Sequence, residues 1–268
     1  MLSDTEFKVI LDYFNRSWKG YRKVRKGVKK KIRRHMQVLD CSNIEDYLTV
    51  IASDQDQKKI TESCLLVTIS RFFRDCQLWE CLAETILPEL VRNFPDRIRV
   101  WSVGCACGEE AFSLSILWHR LTAQATIDTK MDILATDVNP VCLEKAQKGW
   151  YGKSSLKEVD ASILETYFKK IPSSHQYEVC SCAKQLIRWQ THDLFISLCE
   201  GPFQIILLRN NLLTYHHGKD TDEAFQLILD NLIPGGYIVT GSHEKLPPIF
   251  IGSFKRNKHC PLVYQYTP

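Results

Sequence analysis

Val100-Trp101-Ser102-Val103-Gly104-Cys105-Ala106-Cys107-Gly108-Glu109-Glu110 is the stretch whose reading decides the fold. A β-rich run, Ile98 to Val103, ends at a glycine, a loop of small residues follows, and Glu109 to Leu121 reads as a helix. Gly104 and Gly108 lack the Cβ that keeps a ligand away from the backbone. Ligands of open α/β sheets lie outside the carboxyl ends of the strands. The turn is therefore a candidate cradle, although a tight turn that holds no ligand has the same composition.

A second β-rich run, Met131 to Thr136, ends in Asp137 about thirty residues on. An acid there can hydrogen-bond both hydroxyls of a ribose. It can also cap the helix that Pro140 opens and that runs through Lys148, since proline suits the first helical position. Turn and acid together point to a nucleoside cofactor. The dinucleotide fingerprint G-x-G-x-x-G is absent, which favours S-adenosylmethionine.

Further out the same alternation continues. Phe203 to Leu208 is a third apolar run, followed by Arg209-Asn210; Asp220 to Leu232 reads as a helix, and Pro234-Gly235-Gly236 turns the chain into Tyr237 to Thr240. Strands alternating with helices imply a mostly parallel sheet covered on both faces. A weaker alternating segment at 171–190 suggests a small antiparallel hairpin. Upstream, residues 1–95 read as helical. Ser3 and Glu6 form a capping-box pattern ahead of Phe7, Ile10, Leu11 and Phe14. Further helices are expected over Tyr21 to Val38, after Ser42 with Ile44, Tyr47, Leu48 and Ile51, and over Asp75 to Phe94 with Leu78, Leu82, Ile86 and Leu90 on one face.

Composition sets outer limits. The chain has 268 residues, 44% apolar and 25% charged, as expected of a globular protein with one large core. It contains no apolar run of membrane-spanning length and no leader-like start, so membrane insertion and secretion are not expected and a cytoplasmic location is. The 11 cysteines are an odd number and scattered, and read as free thiols; the two C-x-C pairs, Cys105/Cys107 and Cys180/Cys182, lack zinc-site spacing, so no metal is expected. The net charge is only +4, yet Arg16 to Arg34 reads RSWKGYRKVRKGVKKKIRR with no acid between Asp12 and Asp40. Taken alone, that block is a docking surface for an acidic partner or a solvated face with some non-specific attraction for nucleic acid.

At this point the residues resemble the CheR-type chemotaxis receptor protein-glutamate methyltransferases. Ser70-Arg71-Phe72-Phe73-Arg74 resembles that family's T-x-F-F-R, and Gly104 to Ser113 (GCACGEEAFS) its small-residue loop before G-E-E-P-Y-S. Ala135-Thr136-Asp137-Val138-Asn139 is similar to A-T/S-D-I-D, and Lys148-Gly149-Trp150-Tyr151 through Ser154-Ser155-Leu156 to R-x-G-x-Y…S-L. Tyr167-Phe168, Leu208-Arg209-Asn210 and Pro234-Gly235-Gly236-Tyr237 resemble R/K-Y-F, C-R-N and P-G-G-x-L. The matches run in order along nearly the whole chain, which is more specific than any one motif.

The resemblance implies an α/β protein: a Rossmann-like S-adenosylmethionine-dependent methyltransferase sheet at 96–268, an N-terminal helical subdomain at 1–95 that carries the basic helix and the start of the cofactor site, and a small β subdomain inserted at 171–190. It implies S-adenosylmethionine as donor, S-adenosylhomocysteine as product and a glutamate carboxylate on an acidic helical receptor region as acceptor. Thr68, Ser70 and Arg74 fall near the donor's methionine end, Gly104 with Glu109 or Glu110 in the loop and helix start, and Asp137 at the ribose. Asp193 and Leu194 fall near the adenine, with Arg209 and Asn210 at the next strand end. Arg74 would also hold the acceptor carboxylate in a two-pronged contact; its other reading is an ion pair with a local acid. Arg22, Arg25, Lys26, Lys29, Lys30 and Arg33 would dock the acidic helix, and nucleic acid is not the expected partner.

Two departures bear on mechanism. Where the family has R-N-V-x-I-Y-F, this chain has Arg209-Asn210-Asn211-Leu212-Leu213-Thr214-Tyr215, so Thr214 stands at the tyrosine's place and Tyr215 one residue late. In a helix that step turns a side chain by about 100°. The family's G-H-S-E is reordered to Gly241-Ser242-His243-Glu244. Three functions follow for comparison: a protein-glutamate methyltransferase, a methyltransferase with another acceptor, and a degenerate cofactor-binding regulatory module.

Overall fold

The computed structural model describes residues 2–125, 127–172, 174–196 and 200–268. The chain forms two compact units, Met1–Thr68 with Leu212–Thr221, and Ile69–Asn211 with Asp222–Pro268.

The first unit is helical. In α1 (Asp4–Tyr13) the capping box is complete: Ser3 Oγ accepts from Glu6 N at 3.1 Å and the Glu6 carboxylate accepts from Ser3 N at 2.6 Å. The helix expected over 21–38 is two, α2 (Trp18–Tyr21) and α3 (Arg25–Val38). Three-residue turn bonds from Val24 N to Tyr21 O and from Gly27 N to Val24 O interrupt it, beside two glycines that weaken a helix. Asn43, not Ser42, caps α4 (Ile44–Ser53), its side chain accepting from Asp46 N at 2.8 Å. A further helix, α5 (Gln55–Leu65), starts at Asp54, which accepts from Asp56 N and Gln57 N. Its sequence is mostly polar and buries only Thr61 and Leu65, so periodicity does not reveal it. Phe7, Ile10, Leu11, Tyr21, Ile32, Tyr47 and Ile51 make the core, and the partly buried Tyr215 packs against it.

The second unit starts at Ile69, ahead of the expected boundary at 95/96. The reason is packing. Helices α6 (Cys76–Cys81) and α7 (Leu87–Asn93), joined by a π-helical turn, place Leu78, Trp79, Leu82, Ile86, Leu87 and Leu90 in the same core as Ile98 and Val100 of the first strand. The strands are β1 (Arg97–Val103), β2 (Lys130–Asp137), β3 (Trp150–Gly152), β4 (Phe168–Lys170), β5 (Gln176–Val179), β6 (Ile187–Thr191), β7 (Phe203–Leu208), β8 (Leu232–Thr240), β9 (Phe254–Arg256) and β10 (Val263–Tyr266). Seven of them form one sheet in the order β6-β2-β1-β7-β8-β10-β9, parallel from β6 to β8, with β10 antiparallel to both neighbours. Helices α8 (Glu109–Gln124) and α9 (Pro140–Lys148) follow β1 and β2. The chain steps outward from β1 to β2 and β6, then returns to β7 on the other side. That reversal opens a crevice at the carboxyl ends of β1 and β7.

Two expectations need correcting here. The 171–190 segment is not a self-contained hairpin. Its first part, β5, is the middle of a separate antiparallel sheet, β3-β5-β4, and its second part, β6, pairs in parallel with β2 at the edge of the large sheet. Nor do Pro234-Gly235-Gly236 turn the chain. Phe203 pairs with Leu232 and Ile205 with Tyr237, so these residues bulge from one continuous strand, Gly235 at φ +80°. No described helix is long and apolar enough to cross a membrane. Cys180 and Cys182 are bonded to each other rather than free, eight other cysteines are free thiols, and Cys199 lies outside the described residues.

Candidate active site

The loop between β1 and α8 is shaped by three left-handed residues, Gly104 (φ +61°), Ala106 (φ +49°) and Gly108 (φ +89°). Cys105 N donates to Thr136 O at 2.9 Å and ties the loop to the end of β2. Asp137 completes the tie, Oδ2 accepting from Ala106 N at 2.8 Å and Oδ1 from Asn139 N at 2.9 Å. The acid is thus not the cap of α9; Asn139 is, accepting from Val141 N at 3.0 Å. Burial raises the Asp137 pKa, partly offset by the two backbone N–H groups. A carboxylate has about four acceptor positions, so both oxygens can still take a ligand hydroxyl.

At its two glycines the loop is met by the protein itself. A Cβ on Gly104 would stand 2.6 Å from Asn211 Nδ2, and one on Gly108 2.6 Å from the Trp189 ring and 2.8 Å from Ala146 Cβ. Asn211, at the end of β7, donates through Nδ2 to Val103 O and joins the tips of β1 and β7.

The two acids that open α8 differ sharply. Glu110 is spent on structure: Ser102 Oγ donates to its Oε1 at 2.8 Å and Arg209 Nη1 to its Oε2 at 3.0 Å. Glu109 is buried, at 4% exposure, with Ser155 Oγ donating to Oε1 at 3.1 Å and no hydrogen-bond partner for Oε2 among the described residues. Burial raises its pKa.

Arg209, expected among the cofactor contacts, is committed in the same network. Its Nη2 donates to Asp75 Oδ2 at 2.7 Å and to Arg74 O at 3.0 Å, and its guanidinium lies over the Trp79 ring. Trp79 Nε1 also donates to Arg74 O, at 2.9 Å. Phe73 N donates to Ser113 Oγ at 2.9 Å and Phe72 N to Ser155 O at 3.0 Å, so 72–73 is laced to α8 and to the turn after β3. Phe73 (φ +52°) and Asp75 (φ +63°) both lie in the left-handed region. Such residues cost about 1–3 kcal/mol each and persist where surroundings over-determine them. Arg74 between them is half-buried, and its guanidinium makes no ion pair or hydrogen bond among the described residues. Its nearest acid in sequence, Asp75, is taken by Arg209.

Two more strand ends converge here. Asn210 (φ +56°) donates its N–H to Glu244 Oε2 at 2.9 Å, which also accepts from Gly241 N at 2.6 Å, so a buried carboxylate clamps the ends of β7 and β8. His192 N donates to Asp137 O at 3.1 Å, which brings the turn after β6 beside Asp137. In that turn Asp193 Oδ1 accepts from Phe195 N at 2.9 Å, and Asp193 and Leu194 are half-buried. Ser70 is half-buried four residues ahead of Arg74. Asn211 and Glu244 are additions to the expected set. Their signals were the second asparagine in Arg209-Asn210-Asn211 and the reordered Gly241-Ser242-His243-Glu244.

The remaining candidates lie in the helical unit. Thr68 is exposed in the extended chain after α5. Thr214 and Tyr215 end a short helix, where the Tyr215 ring sits 5.0 Å from Tyr21 and Ser17 N donates to Tyr215 O. On and before α3, Arg22, Lys26, Lys30 and Arg33 are exposed and make no ion pair among the described residues, whereas Arg25 and Lys29 reach Asp4 Oδ1 at 3.3 and 2.9 Å. No group of three or more described His, Cys, Asp or Glu residues could hold a metal ion.

A family model described as CheR methyltransferase, SAM binding domain, matches residues 68–258. The chain is 31% identical over 185 residues to a chemotaxis protein methyltransferase of Listeria innocua serovar 6a, covering 69% of this chain and 68% of the relative. It is 26% identical over 263 residues to chemotaxis protein methyltransferase 2 of Vibrio cholerae serotype O1, covering 93% and 88%. Among solved structures, S-adenosylmethionine-bound CalS10, an amino pentose methyltransferase from Micromonospora echinaspora, aligns at 15% identity and a TM-score of 0.34, over 64% of this chain and 52% of that one.

Proposed function

The chain belongs to the CheR methyltransferase family and uses S-adenosylmethionine as its methyl donor, and on that premise we propose that it methylates a glutamate side-chain carboxylate of a protein, an acidic helical region of a chemotaxis receptor being the substrate it suits best. When bound, the donor supplies an electrophilic methyl on a sulfonium. The residues at the strand ends fit such a group. Glu109 has a buried oxygen without a hydrogen-bond partner, and a raised pKa that a neighbouring cation would bring back down. Asp137 keeps acceptor positions for vicinal hydroxyls, and Asp193 and Leu194 lie in the turn tied to it. Gly104, Asn210, Thr68 and Ser70 complete the proposed donor contacts. Arg209 and Glu110 enter as positioning residues, because Glu110 is already committed to Ser102 and Arg209, and Arg209 to Glu110, Asp75 and the Arg74 carbonyl.

Arg74 carries the reading. It is a half-buried cation without an ion pair among the described residues, fixed beside the donor residues by a strained, hydrogen-bonded backbone. An acceptor glutamate, with a reference pKa of about 4.3, is ionised at pH 7 and needs no base. The protein's task is to orient it and exclude water. Alignment of the two reactants can supply roughly 7–11 kcal/mol in favourable cases, and a two-pronged guanidinium contact provides it. Tyr215, or Thr214 in the family tyrosine's place, is assigned to the acceptor side. The exposed cations Arg22, Lys26, Lys30 and Arg33 are assigned to the acidic helix; Arg25 and Lys29 join them only by leaving Asp4.

Labelled methyl transfer to an acidic receptor fragment tests this with wild type and Arg74→Ala. Transfer should fall by about a hundredfold or more, the scale of losing one preorganised charge-stabilising donor, while S-adenosylhomocysteine affinity stays close to wild type. Equal transfer by the variant removes Arg74 from its role. Donor binding with no transfer to any protein would favour a regulatory module.

A further inference from the structure

Glu109 is held at its backbone and at its side chain by different residues. Its carbonyl accepts from Ser113 Oγ at 2.6 Å, and Ser113 Oγ accepts from Phe73 N at 2.9 Å, which fixes the backbone where α8 begins. Among the described residues its carboxylate is held by Ser155 alone, whose Oγ donates to Oε1 at 3.1 Å. Ser155 is itself placed by backbone rather than by that contact. Tyr151, 4% exposed, anchors β3: its ring stands edge-on to Phe72 at 4.7 Å between centroids, and its hydroxyl donates to Cys107 O in the glycine loop at 2.5 Å. Beyond β3 the chain turns, Ser155 N donating to Gly152 O at 3.1 Å and Ser155 O accepting from Phe72 N at 3.0 Å. Leu156, the next residue, is buried in the same core as Phe72. The hydroxyl therefore reaches Glu109 from a fixed backbone, and a short side chain loses little freedom in doing so. Glu109 needs the contact. Burial raises its pKa, and its own backbone N–H and the Ser155 hydroxyl work against that rise. A hydroxyl on Oε1 also sets the plane of the carboxylate, and with it the place of Oε2.

We infer that Ser155 is a positioning residue of the donor site, its hydroxyl holding the Glu109 carboxylate so that the unpartnered Oε2 meets a cationic group of the donor, an inference that rests on Glu109 being a donor contact. S-adenosylmethionine brings two such groups, an ammonium and a sulfonium, and its demethylated product keeps the ammonium. Without the hydroxyl the carboxylate stays buried with neither oxygen satisfied. It is then free to rotate or to take a proton, and either change removes charge from the place where the donor meets it. Ser154 and Ser155 stand side by side in the sequence, but Ser154 is exposed and only Ser155 reaches Glu109. The turn after β3 thus braces two parts of the site, Glu109 through the Ser155 side chain and Phe72 through the Ser155 carbonyl. The two are separable: alanine at 155 removes the first and keeps the second.

The test is calorimetric titration with S-adenosylhomocysteine of full-length wild type, Ser155→Ala, Ser155→Thr, Glu109→Gln and the double variant Ser155→Ala/Glu109→Gln, together with KM and kcat for S-adenosylmethionine in the transfer assay. Ser155→Ala should bind about tenfold more weakly, the low end for one hydrogen bond to a charged group. Its KM for the donor should rise by a similar factor with little change in kcat, because the backbone bond from Phe72 to Ser155 survives. Ser155→Thr keeps the hydroxyl and should bind nearly as wild type does. In the Glu109→Gln background the alanine should cost less than about twofold, because the group it acts through is already altered. Ser155→Ala that binds like wild type overturns the inference. So does an equal loss in both backgrounds, which marks a merely structural role, or Ser155→Thr that binds as weakly as Ser155→Ala. Glu109→Gln that binds like wild type removes Glu109 from the donor site and Ser155 with it, whereas a loss on Glu109→Gln with none on Ser155→Ala leaves the donor site standing and refutes Ser155 alone.

Discussion

Replacing Arg209 with methionine tests whether a buried charge network holds Arg74 in place. The Arg209 side chain is 3% exposed and gives Nη1 to Glu110 at 3.0 Å and Nη2 to Asp75 at 2.7 Å and Arg74 O at 3.0 Å. Methionine preserves most of the volume over Trp79. It leaves Glu110, 11% exposed, with only the Ser102 hydroxyl, whereas Asp75, 26% exposed, can turn to water. Removing one side of a buried pair costs about 3–5 kcal/mol, because the other charge stays behind. With a urea slope of about 3 kcal/mol/M, the unfolding midpoint should fall by about 1–1.7 M. Trp79 lies under the network, so tryptophan fluorescence reports it directly. Adding Glu110→Gln neutralises the stranded acid, and the double variant should recover about 1–3 kcal/mol relative to the sum of the two single losses. An unchanged midpoint for Arg209→Met, or strictly additive losses, would refute the network as the support of Arg74.

Three other outcomes follow. Asp137→Asn can accept from only one of Ala106 N and Asn139 N and lacks the charge for a sugar hydroxyl; S-adenosylhomocysteine affinity should fall about 10–100-fold by calorimetry, the scale of about 1.5–3 kcal/mol of charged hydrogen bonding, and unchanged affinity counts against the ribose assignment. His216, half-buried beside Arg16, has its pKa lowered from 6.5 to about 3, so the unfolded chain takes the proton first; this stability is present above pH 6.5 and is lost as pH falls toward 3, about 2 kcal/mol of it by pH 5. His216→Gln should lose that much less stability between pH 7.5 and 5 in urea titrations, and parallel losses would exclude His216 as the source. Lys26→Glu with Lys30→Glu should raise KM for an acidic receptor fragment several-fold with little change in kcat, each exposed charge contributing about 0–1 kcal/mol; an unchanged KM and salt dependence would leave α3 as a solvated face.

The parts of the fold that sequence discloses are those whose residues repeat with a period or end at a glycine. β1, β2 and β7 are apolar runs closed by Gly104, Asp137 and Arg209, and each is buried in the parallel sheet. α5 escapes notice because it buries little apolar surface, and the bulged β8 because Pro234-Gly235-Gly236 has the composition of a turn. Chemistry is harder to read. Glu109 and Glu110 are adjacent and chemically identical, yet Glu110 is paired with Arg209 and Glu109 keeps an oxygen without a hydrogen-bond partner among the described residues. Which is which depends on contacts between residues about a hundred positions apart, and local pattern carries no such information. Arg209 poses the same difficulty: its place at a strand end suggests a ligand contact, and only the positions of Asp75 and Glu110 show that its donors are already used.

Purified protein incubated with methyl-labelled S-adenosylmethionine and a glutamate-rich receptor fragment should leave label on the fragment as an ester, released as methanol by mild base and absent when the target glutamates are replaced by glutamine. Label that resists mild base, or a fragment that stays unlabelled while the protein demonstrably binds the donor, would contradict it.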